Sequence, residues 1–350
     1  MTSAPGKTES AARPHGEPAR SAVSFAIMMS PPDLADHLFG ADLNSLRIDG
    51  AKALSKAPFS SLDDVDARRA LADAEVLITG WGAPALSDAD LDGAPKLRYL
   101  LYAGGQGSSL LPASAFSRGI QVSNAGWLNA IPVAEFTVAM IVLANKRAFQ
   151  ARRMYRQRRA RIDRELEFPT SGNRDKTVGI VGASRIGRIV LERLRDHDLH
   201  VQIYDPYLTA SEARRLGALR VDLHTLMSTS DVVTLHPPLN ASTEGMIDAD
   251  LLAAIPDGAT LINTSRGGIV DQDALLVELR TGRIEAILDV TTPEVLPRES
   301  ELYTLPNVFL TPHISGSMGT EIRRLGDHVA SELERIVLGR PLAFPEALDR

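Results

Sequence analysis

From Val23 onward, short apolar runs alternate with longer stretches in which apolar residues recur at helical spacing. "VSFAIM" reads as a strand and "SPPDLADHLF" as the start of a helix. "AEVLITGWG", "LRYLLYAGG" and "GIQVSN" are further apolar runs, each closed by Gly or Asn. Strands alternating with helices predict parallel βαβ units. A long helical stretch is predicted from near Asn129 ("NAIPVAEFTVAMIVLANKR"), with Pro132 in its first turn, where a missing N–H costs little. A second α/β series begins at Thr177, with strands "TVGIV", "HVQIY", "DVVTL", "ATLIN", "IEAIL" and "NVFL". The last segment, "GTEIRRLGDHVASELERIVLG", alternates apolar and charged residues at helical spacing and ends at a Gly. Residues 1–21 have no periodic apolar positions and are rich in Ala, Pro, Gly, Ser and charge, so a disordered tail is expected there.

Composition narrows this picture. A chain of 350 residues, 44% hydrophobic, allows two domains or one large one with real cores. No run of 18 uncharged apolar residues occurs, so no membrane span is expected. The start of the chain has no apolar stretch after a basic one, so secretion is not expected either. The absence of cysteine excludes disulfides, thiolate metal sites and a cysteine nucleophile. Together these lead to the expectation of a soluble cytoplasmic protein without a metal. The net charge of −6 gives no electrostatic argument for nucleic acid or anionic membranes. The basic run from Lys146 to Arg164 ("KRAFQARRMYRQRRARIDR") can be read as a nucleic-acid patch or as a solvated helix or arm. With an acidic chain and few aromatics, the second reading is the one adopted.

The stretch "TVGIVGASRIGR" sets a strand, then Gly182 to Gly187, then a helix. In a dinucleotide loop the first Gly makes a tight turn and the last lets helix and strand pack closely. The helix N-terminus then faces the pyrophosphate with unpaired N–H groups. Here Ser184 stands at the middle position, followed by Arg185 and Ile186. The next strand ends at Asp205, 18 positions after Gly187. An acid there can accept from both ribose hydroxyls and would repel a 2′-phosphate, which favours NAD over NADP. The other reading of Asp205 is a turn cap before Pro206.

Three later strands end in polar residues. Arg266 follows "TLIN", Asp289 and Glu294 follow "EAIL", and His313 follows "VFL". In a doubly wound sheet, ligands lie outside the carboxyl ends of the strands. A guanidinium clamps a carboxylate in a fork. A histidine, which titrates near neutrality, can protonate a carbonyl oxygen, and a glutamate beside it can hold its ring. Any one of these can equally be a structural residue. His236, in "TLHPP", also ends a strand and can line a cofactor cleft.

From about Leu97 to Gly316 these motifs, in this order, resemble the D-isomer-specific 2-hydroxyacid dehydrogenases. "HPPLNASTEGMID", "LLAAIPDGATLINTSRGGIVDQDALLVELRTGRI", "LDVTTPE" and "LPNVFLTPHISG" carry the resemblance. It implies two domains: a flavodoxin-like substrate domain (22–126 and 316–350) and a Rossmann NAD-binding domain (127–315), with NAD in the cleft between them. It implies a catalytic set matching Arg266, Glu294 and His313, with His313 as acid/base. Asp289 matches a residue near the nicotinamide carboxamide, and Thr264 and Ser265 match cofactor contacts. Gly104 and Gly105 match the loop whose amides hold a substrate carboxylate. The implied substrate is a small 2-oxo or D-2-hydroxy acid, and the implied assembly is a homodimer through the NAD-binding domain. Ser184, Gln106 and the stretch around Glu294 depart from the family's pattern, so the match of Glu294 rests on its distance from Asp289. The end of the sequence at residue 350 weighs against the long phosphoglycerate dehydrogenases, and an acid at 294 against formate dehydrogenases, which carry Gln there. The rival reading is an NAD(H)-sensing scaffold, like the corepressors of this fold, with no significant turnover.

Overall fold

The computed structural model describes residues 22–346. The expected disordered tail, 1–21, lies outside them. The chain divides into two compact units. One runs to Tyr102 and includes Gly107–Ser123 and the chain from Val329 on; the other comprises Ala103–Gln106 and Asn124–His328. The boundaries read from the sequence, 126 and 316, compare with 123 and 328 here, and the short piece around Gly104 and Gly105 goes with the second unit.

The first unit holds β1 (Val23–Met28), β2 (Ala51–Ala53), β3 (Val76–Thr79), β4 (Tyr99–Tyr102) and β5 (Gln121–Asn124), in the order β2-β1-β3-β4-β5. This is the flavodoxin-like order. β1 pairs in parallel with β2 and β3, and β3 with β4. β3 is buried at every position, as expected for a parallel strand covered on both faces. Ala26, Met28, Leu71, Leu77, Leu100 and Val122 belong to one core. Burying each such Leu or Met side chain contributes about 1.5–3 kcal/mol. The helix Val65–Asp73 starts where Asp64 accepts from the Asp66 N–H (2.8 Å), the usual role of an acid at that position.

The second unit is a seven-stranded sheet: β6 (Lys176–Val181), β7 (Leu199–Tyr204), β8 (Leu219–Arg220), β9 (Val232–Leu235), β10 (Thr260–Asn263), β11 (Glu285–Leu288) and β12 (Val308–Leu310). Their order is β12-β11-β10-β9-β6-β7-β8, and the pairings are parallel. Counted from β6, this is the Rossmann order extended by one strand. The order reverses between β9 and β6, which is where such a sheet binds its ligand. The predicted strands all appear. β2 and β8 are the two the pattern does not reveal. They are only three and two residues long, largely exposed, and lie at the sheet edges, so no apolar run marks them.

The helix Gly126–Asn145 starts three residues earlier than predicted, so Pro132 lies inside it rather than in its first turn. Gly126 N–H donates to the Asn124 side chain (2.9 Å), which fixes this earlier start. The helix is long and apolar enough by length and composition to cross a membrane, with mean hydropathy 1.7. Half of that stretch is nevertheless buried within the protein. Ala134, Met140, Ile141 and Ala144 pack with Val190, Leu191 and Leu194 of the helix Arg185–Leu194, and Glu135 pairs with Arg193 (2.9 Å). The basic run forms the helix Ala148–Arg158 and its flanks. Arg153 grips Glu285 through both carboxylate oxygens (2.8 and 3.1 Å), Arg158 pairs with Glu167, and Arg147 donates to the Gly258 carbonyl. Three of its cations therefore anchor the segment to its own unit.

Candidate active site

Apart from Gly104 and Gly105, which follow β4, the candidate residues of the second unit lie just beyond the carboxyl ends of its strands. The loop Gly182–Gly187 follows β6, Asp205 follows β7, and His236 follows β9. Arg266 follows β10, Asp289 and Glu294 follow β11, and His313 follows β12. Parallel register puts these ends on one edge: Asn263 lies opposite Leu288, and Leu288 opposite Leu310.

The glycine loop is built as a close-approach turn. Gly182 has φ +93, a conformation that favours glycine. A Cβ there would also meet the Pro237 nitrogen at 2.8 Å. A Cβ on Gly187 would meet the Gly182 carbonyl oxygen at 2.2 Å, so only glycine lets the helix start this close to the strand. Ser184 needs no glycine geometry. Its φ is −60, and it serves as the N-cap, its hydroxyl accepting from the Gly187 N–H at 3.4 Å. That distance marks a long bond, so the hydroxyl can turn to another partner. The first-turn amides of Arg185 and Ile186 have no partner inside the helix. Asp205 accepts from Ala183 N–H (2.7 Å) with one oxygen and from Tyr207 N–H (2.9 Å) with the other. It thus caps the turn before Tyr207 and ties that turn to the glycine loop, while each oxygen keeps acceptor capacity for a hydroxyl.

His236 is 2% exposed, and its Nδ1 is buried without a hydrogen-bond partner among the described residues. Its Nε2 lies 3.0 Å from Thr234 Oγ1. Burial pushes its pKa down to about 3, so the ring is neutral near pH 7. The unfolded chain takes up this proton below about pH 6.5, and the folded chain only near pH 3. This residue therefore subtracts stability as pH falls through that window. The tight turn, the unpaired first-turn amides and a buried ring nitrogen without a partner beside them fit a dinucleotide. We expect Ser184→Gly to change NADH affinity by less than about tenfold, roughly 1.4 kcal/mol. Fluorescence titration checks this: a larger loss marks the hydroxyl as a ligand, and a comparable gain marks the loop as impaired by serine.

The chemistry-bearing residues are held by a second set of contacts. Asp289 is 1% exposed. Its Oδ1 accepts from Thr311 Oγ1 (2.6 Å) and Ile314 N–H (2.8 Å), and its Oδ2 from Ser315 N–H (2.9 Å). Its carbonyl accepts from His313 N–H (3.0 Å). The side chain expected near a carboxamide is thus the organiser of the His313 loop. His313 has φ +55, a left-handed conformation that costs a non-glycine residue of order 1–3 kcal/mol. The four bonds to Asp289 hold it there. Its Nδ1 is hydrogen-bonded to Glu294 Oε1. The ring side chain is 41% exposed and Glu294 61%, so the pair is open to an incoming molecule.

Arg266 stands on the same edge, exposed, its guanidinium donating to the Ser265 carbonyl (2.7 Å) rather than to the Glu294–His313 pair. Asn263 shapes its turn: Nδ2 donates to the Arg266 carbonyl (2.9 Å) and Oδ1 accepts from Ser265 N–H (3.0 Å). Gly267 presses this turn on the next loop, since a Cβ there would lie 2.1 Å from the Thr291 carbonyl carbon. Thr264 and Ser265 are buried and committed to the protein, to Thr137 (3.0 Å) and the Pro237 carbonyl (2.7 Å) respectively. Gly104 is buried and Gly105 exposed; a Cβ on Gly105 would face open space. Sequence reasoning missed Asn263 and Thr311. Their signal is faint: a polar residue closing or following an apolar strand next to a charged one. Among the described residues, no group of three or more His, Asp or Glu is placed to hold a metal ion. A cavity of about 550 Å³ lies in the first unit between Phe25, Leu43, Leu46 and Leu54, and none of the candidate residues lines it.

Residues 138–315 match the D-isomer specific 2-hydroxyacid dehydrogenase NAD binding domain. The D-3-phosphoglycerate dehydrogenase of Archaeoglobus fulgidus is 33% identical over 230 residues, which is 65% of this chain and 43% of that protein. The chain spans about half the length of the curated relatives it matches, 43–51% in those compared. Among solved structures, a Thermus thermophilus protein superposes with a TM-score of 0.73 at 27% identity, covering 93% of this chain and all of that one (100%). An NAD-dependent formate dehydrogenase from Staphylococcus aureus, solved with NAD, gives 0.68 at 26% identity, covering 91% of this chain and 96% of that one. The matched stretch takes in the helix Gly126–Asn145 from Val138 onward, the whole seven-stranded sheet and the loops carrying Gly182, Asp205, Arg266, Asp289, Glu294 and His313, and on that ground the chain belongs to the D-isomer specific 2-hydroxyacid dehydrogenase family, whose NAD-binding domain it carries.

Proposed function

We propose that this chain is an NAD-dependent oxidoreductase acting between a small 2-oxo acid and its D-2-hydroxy acid. The observation that carries this reading is the His313–Glu294 hydrogen bond, formed beyond the ends of adjacent strands in the sheet that bears the glycine loop. The bound cofactor supplies or accepts the hydride. Arg266 clamps the substrate's carboxylate or carbonyl with its planar fork, and the amides of Gly104 and Gly105 hold the carboxylate. His313 gives its proton to the carbonyl oxygen during reduction and takes it back during oxidation. Glu294 holds the ring at Nδ1, which leaves Nε2 as the nitrogen that exchanges the proton. Asp205, the amides of Arg185 and Ile186, and Ser184 hold the adenosine ribose and pyrophosphate, with His236, Thr264 and Ser265 lining the site. The Asp205 carboxylate favours NAD over NADP because a 2′-phosphate would meet like charge.

We also propose a homodimer through the NAD-binding domain. Leu143 (37% exposed), Tyr155 (63%) and Leu166 (77%) supply apolar surface along the stretch from about 130 to 172. Sedimentation should give twice the chain mass of 37.8 kDa.

The deciding experiment mixes purified protein with NADH and glyoxylate, hydroxypyruvate or pyruvate from about pH 5 to 9. Oxidation of NADH by at least one acid is expected, with NADPH a poorer donor. A tight NADH complex that oxidises none of them, together with a stable protein partner, identifies a sensing scaffold instead.

A further inference from the structure

Two carboxylates in the first unit hold the stretch 341–346. Glu332, in the helix Ile322–Val337, is 1% exposed. It accepts from Ala343 N–H (3.0 and 3.1 Å), Phe344 N–H (3.0 Å) and the Ser123 hydroxyl (3.3 Å). Pro345 then bridges Ser123 in antiparallel fashion, and Glu346 N–H donates to the Val122 carbonyl (2.7 Å). This lays the segment beside β5 and delivers the Glu346 side chain to the chain just after β4.

There the carboxylate takes two successive amides. Oε2 accepts from Gly107 N–H (2.9 Å), and Oε1 from Ser108 N–H (3.1 Å) and from the Ser108 hydroxyl. Gly107 is buried, and a Cβ on it would lie 2.9 Å from Tyr102 Cβ and 3.0 Å from Val122 Cγ1. Burial, and then the Glu346 charge, hold the Tyr102 phenol above its ordinary range. On the other side, Gly105 O stands 2.4 Å from where a Gly126 Cβ would sit. The sequence "AGGQGSS" is therefore held at Gly107 and Ser108 by a side-chain carboxylate and closely approached at Gly105 by the Gly126 backbone, although its three glycines would otherwise make it among the least ordered stretches of the chain.

We propose that Glu346 is a positioning residue: by holding Gly107 and Ser108 it orients the amides of Gly104 and Gly105 and so sets the affinity for the 2-oxo acid. This rests on the reading above that those amides hold the substrate carboxylate. The physical reason is preorganisation. Amides that must converge on an anion bind it well only if their ordering is complete before it arrives. An unanchored glycine loop would be ordered by the substrate itself, at the expense of affinity. Charge alone would act oppositely, since Glu346 and the substrate carboxylate repel.

The test uses the full chain with Glu346→Gln and Glu346→Asp. The first keeps the shape but sets an NH₂ against an amide donor. The second keeps the charge but shortens the reach. In both, amide hydrogen exchange of peptides spanning 103–109 should accelerate about tenfold or more, and that of peptides spanning 179–190 should not change. KM for the best acid of the panel should rise about tenfold, with kcat within about twofold and NADH affinity unchanged. Unchanged exchange over 103–109 overturns the proposal whether or not any acid is reduced. Faster exchange with an unchanged or lowered KM also overturns it, as does a parallel loss of NADH affinity. If the parent protein reduces no acid, the functional reading above fails by itself. Calorimetric binding of oxamate, an unreactive 2-oxo acid analogue, to the NADH complex then replaces KM, and an unweakened oxamate complex, or none in the parent protein, overturns the proposal.

Discussion

Replacing His313 by alanine should lower kcat by about 10²–10⁴-fold, the usual worth of a positioned general acid, and leave the NADH dissociation constant within about threefold. The asymmetry follows from where the side chain stands. Its ring is hydrogen-bonded to Glu294, whereas the loop geometry is maintained by backbone bonds to Asp289 that alanine keeps. The side chain is 41% exposed, so its removal opens no sealed cavity. Stability should change by no more than about 0.5 kcal/mol. Glu294→Gln should cost less turnover than His313→Ala, because an amide oxygen can still accept from Nδ1. Stopped-flow turnover and NADH titration on the same preparations separate the two quantities. A drop in NADH affinity as large as the drop in kcat would show that His313 is a structural residue of the fold.

Asp289→Ala should be the more damaging change to the molecule as a whole. It leaves Thr311 Oγ1 and the amides of Ile314 and Ser315 without an acceptor. Bonds to a charged acceptor contribute about 1.5–3 kcal/mol each. They are not additive within one cluster, so roughly 4–5 kcal/mol is expected for the three. In a unit of this size that corresponds to a fall in Tm of about 10–15 °C. Turnover should fall as well, because these bonds pin the loop that holds His313 at φ +55. Asp289→Asn should lie between, since one amide oxygen replaces two acceptor oxygens and the NH₂ faces an amide donor. Differential scanning calorimetry and kcat on both variants check this. A Tm within about 2 °C of the parent for Asp289→Ala would show that the carboxylate does not hold the loop.

The residues behind these two expectations were legible in the sequence to different degrees. His313, Glu294 and Arg266 could be picked out because each follows an apolar run, and parallel topology places such positions on one edge. Asp289 could be picked out by the same rule, but its contacts could not. A carboxylate after a strand can face a ligand or turn inward, and only the path of the 311–315 loop decides. For Glu294 the sequence offered little more than a distance from Asp289, and only the fold brings its carboxylate into a hydrogen bond with His313 Nδ1. Ser184 departs from the glycine pattern of such a loop. Its φ of −60 shows that glycine is needed there for room at most, while Gly182, at φ +93, is the residue the turn demands.

Local chemistry by itself determined most of the architecture: apolar runs that bury on both faces become parallel strands, helical periodicity covers them, and Gly and acidic residues close and cap each element. It also determined the family of motifs, because their spacing along the chain is a one-dimensional property. What only the tertiary structure decided are the contacts between residues far apart in sequence. They include Asp289 with the His313 loop, Gly267 against Thr291 and Glu346 on Gly107 and Ser108. These depend on close approach to a few tenths of an ångström between separate loops. A residue type prescribes which bonds it can make, and only the packed fold prescribes with whom.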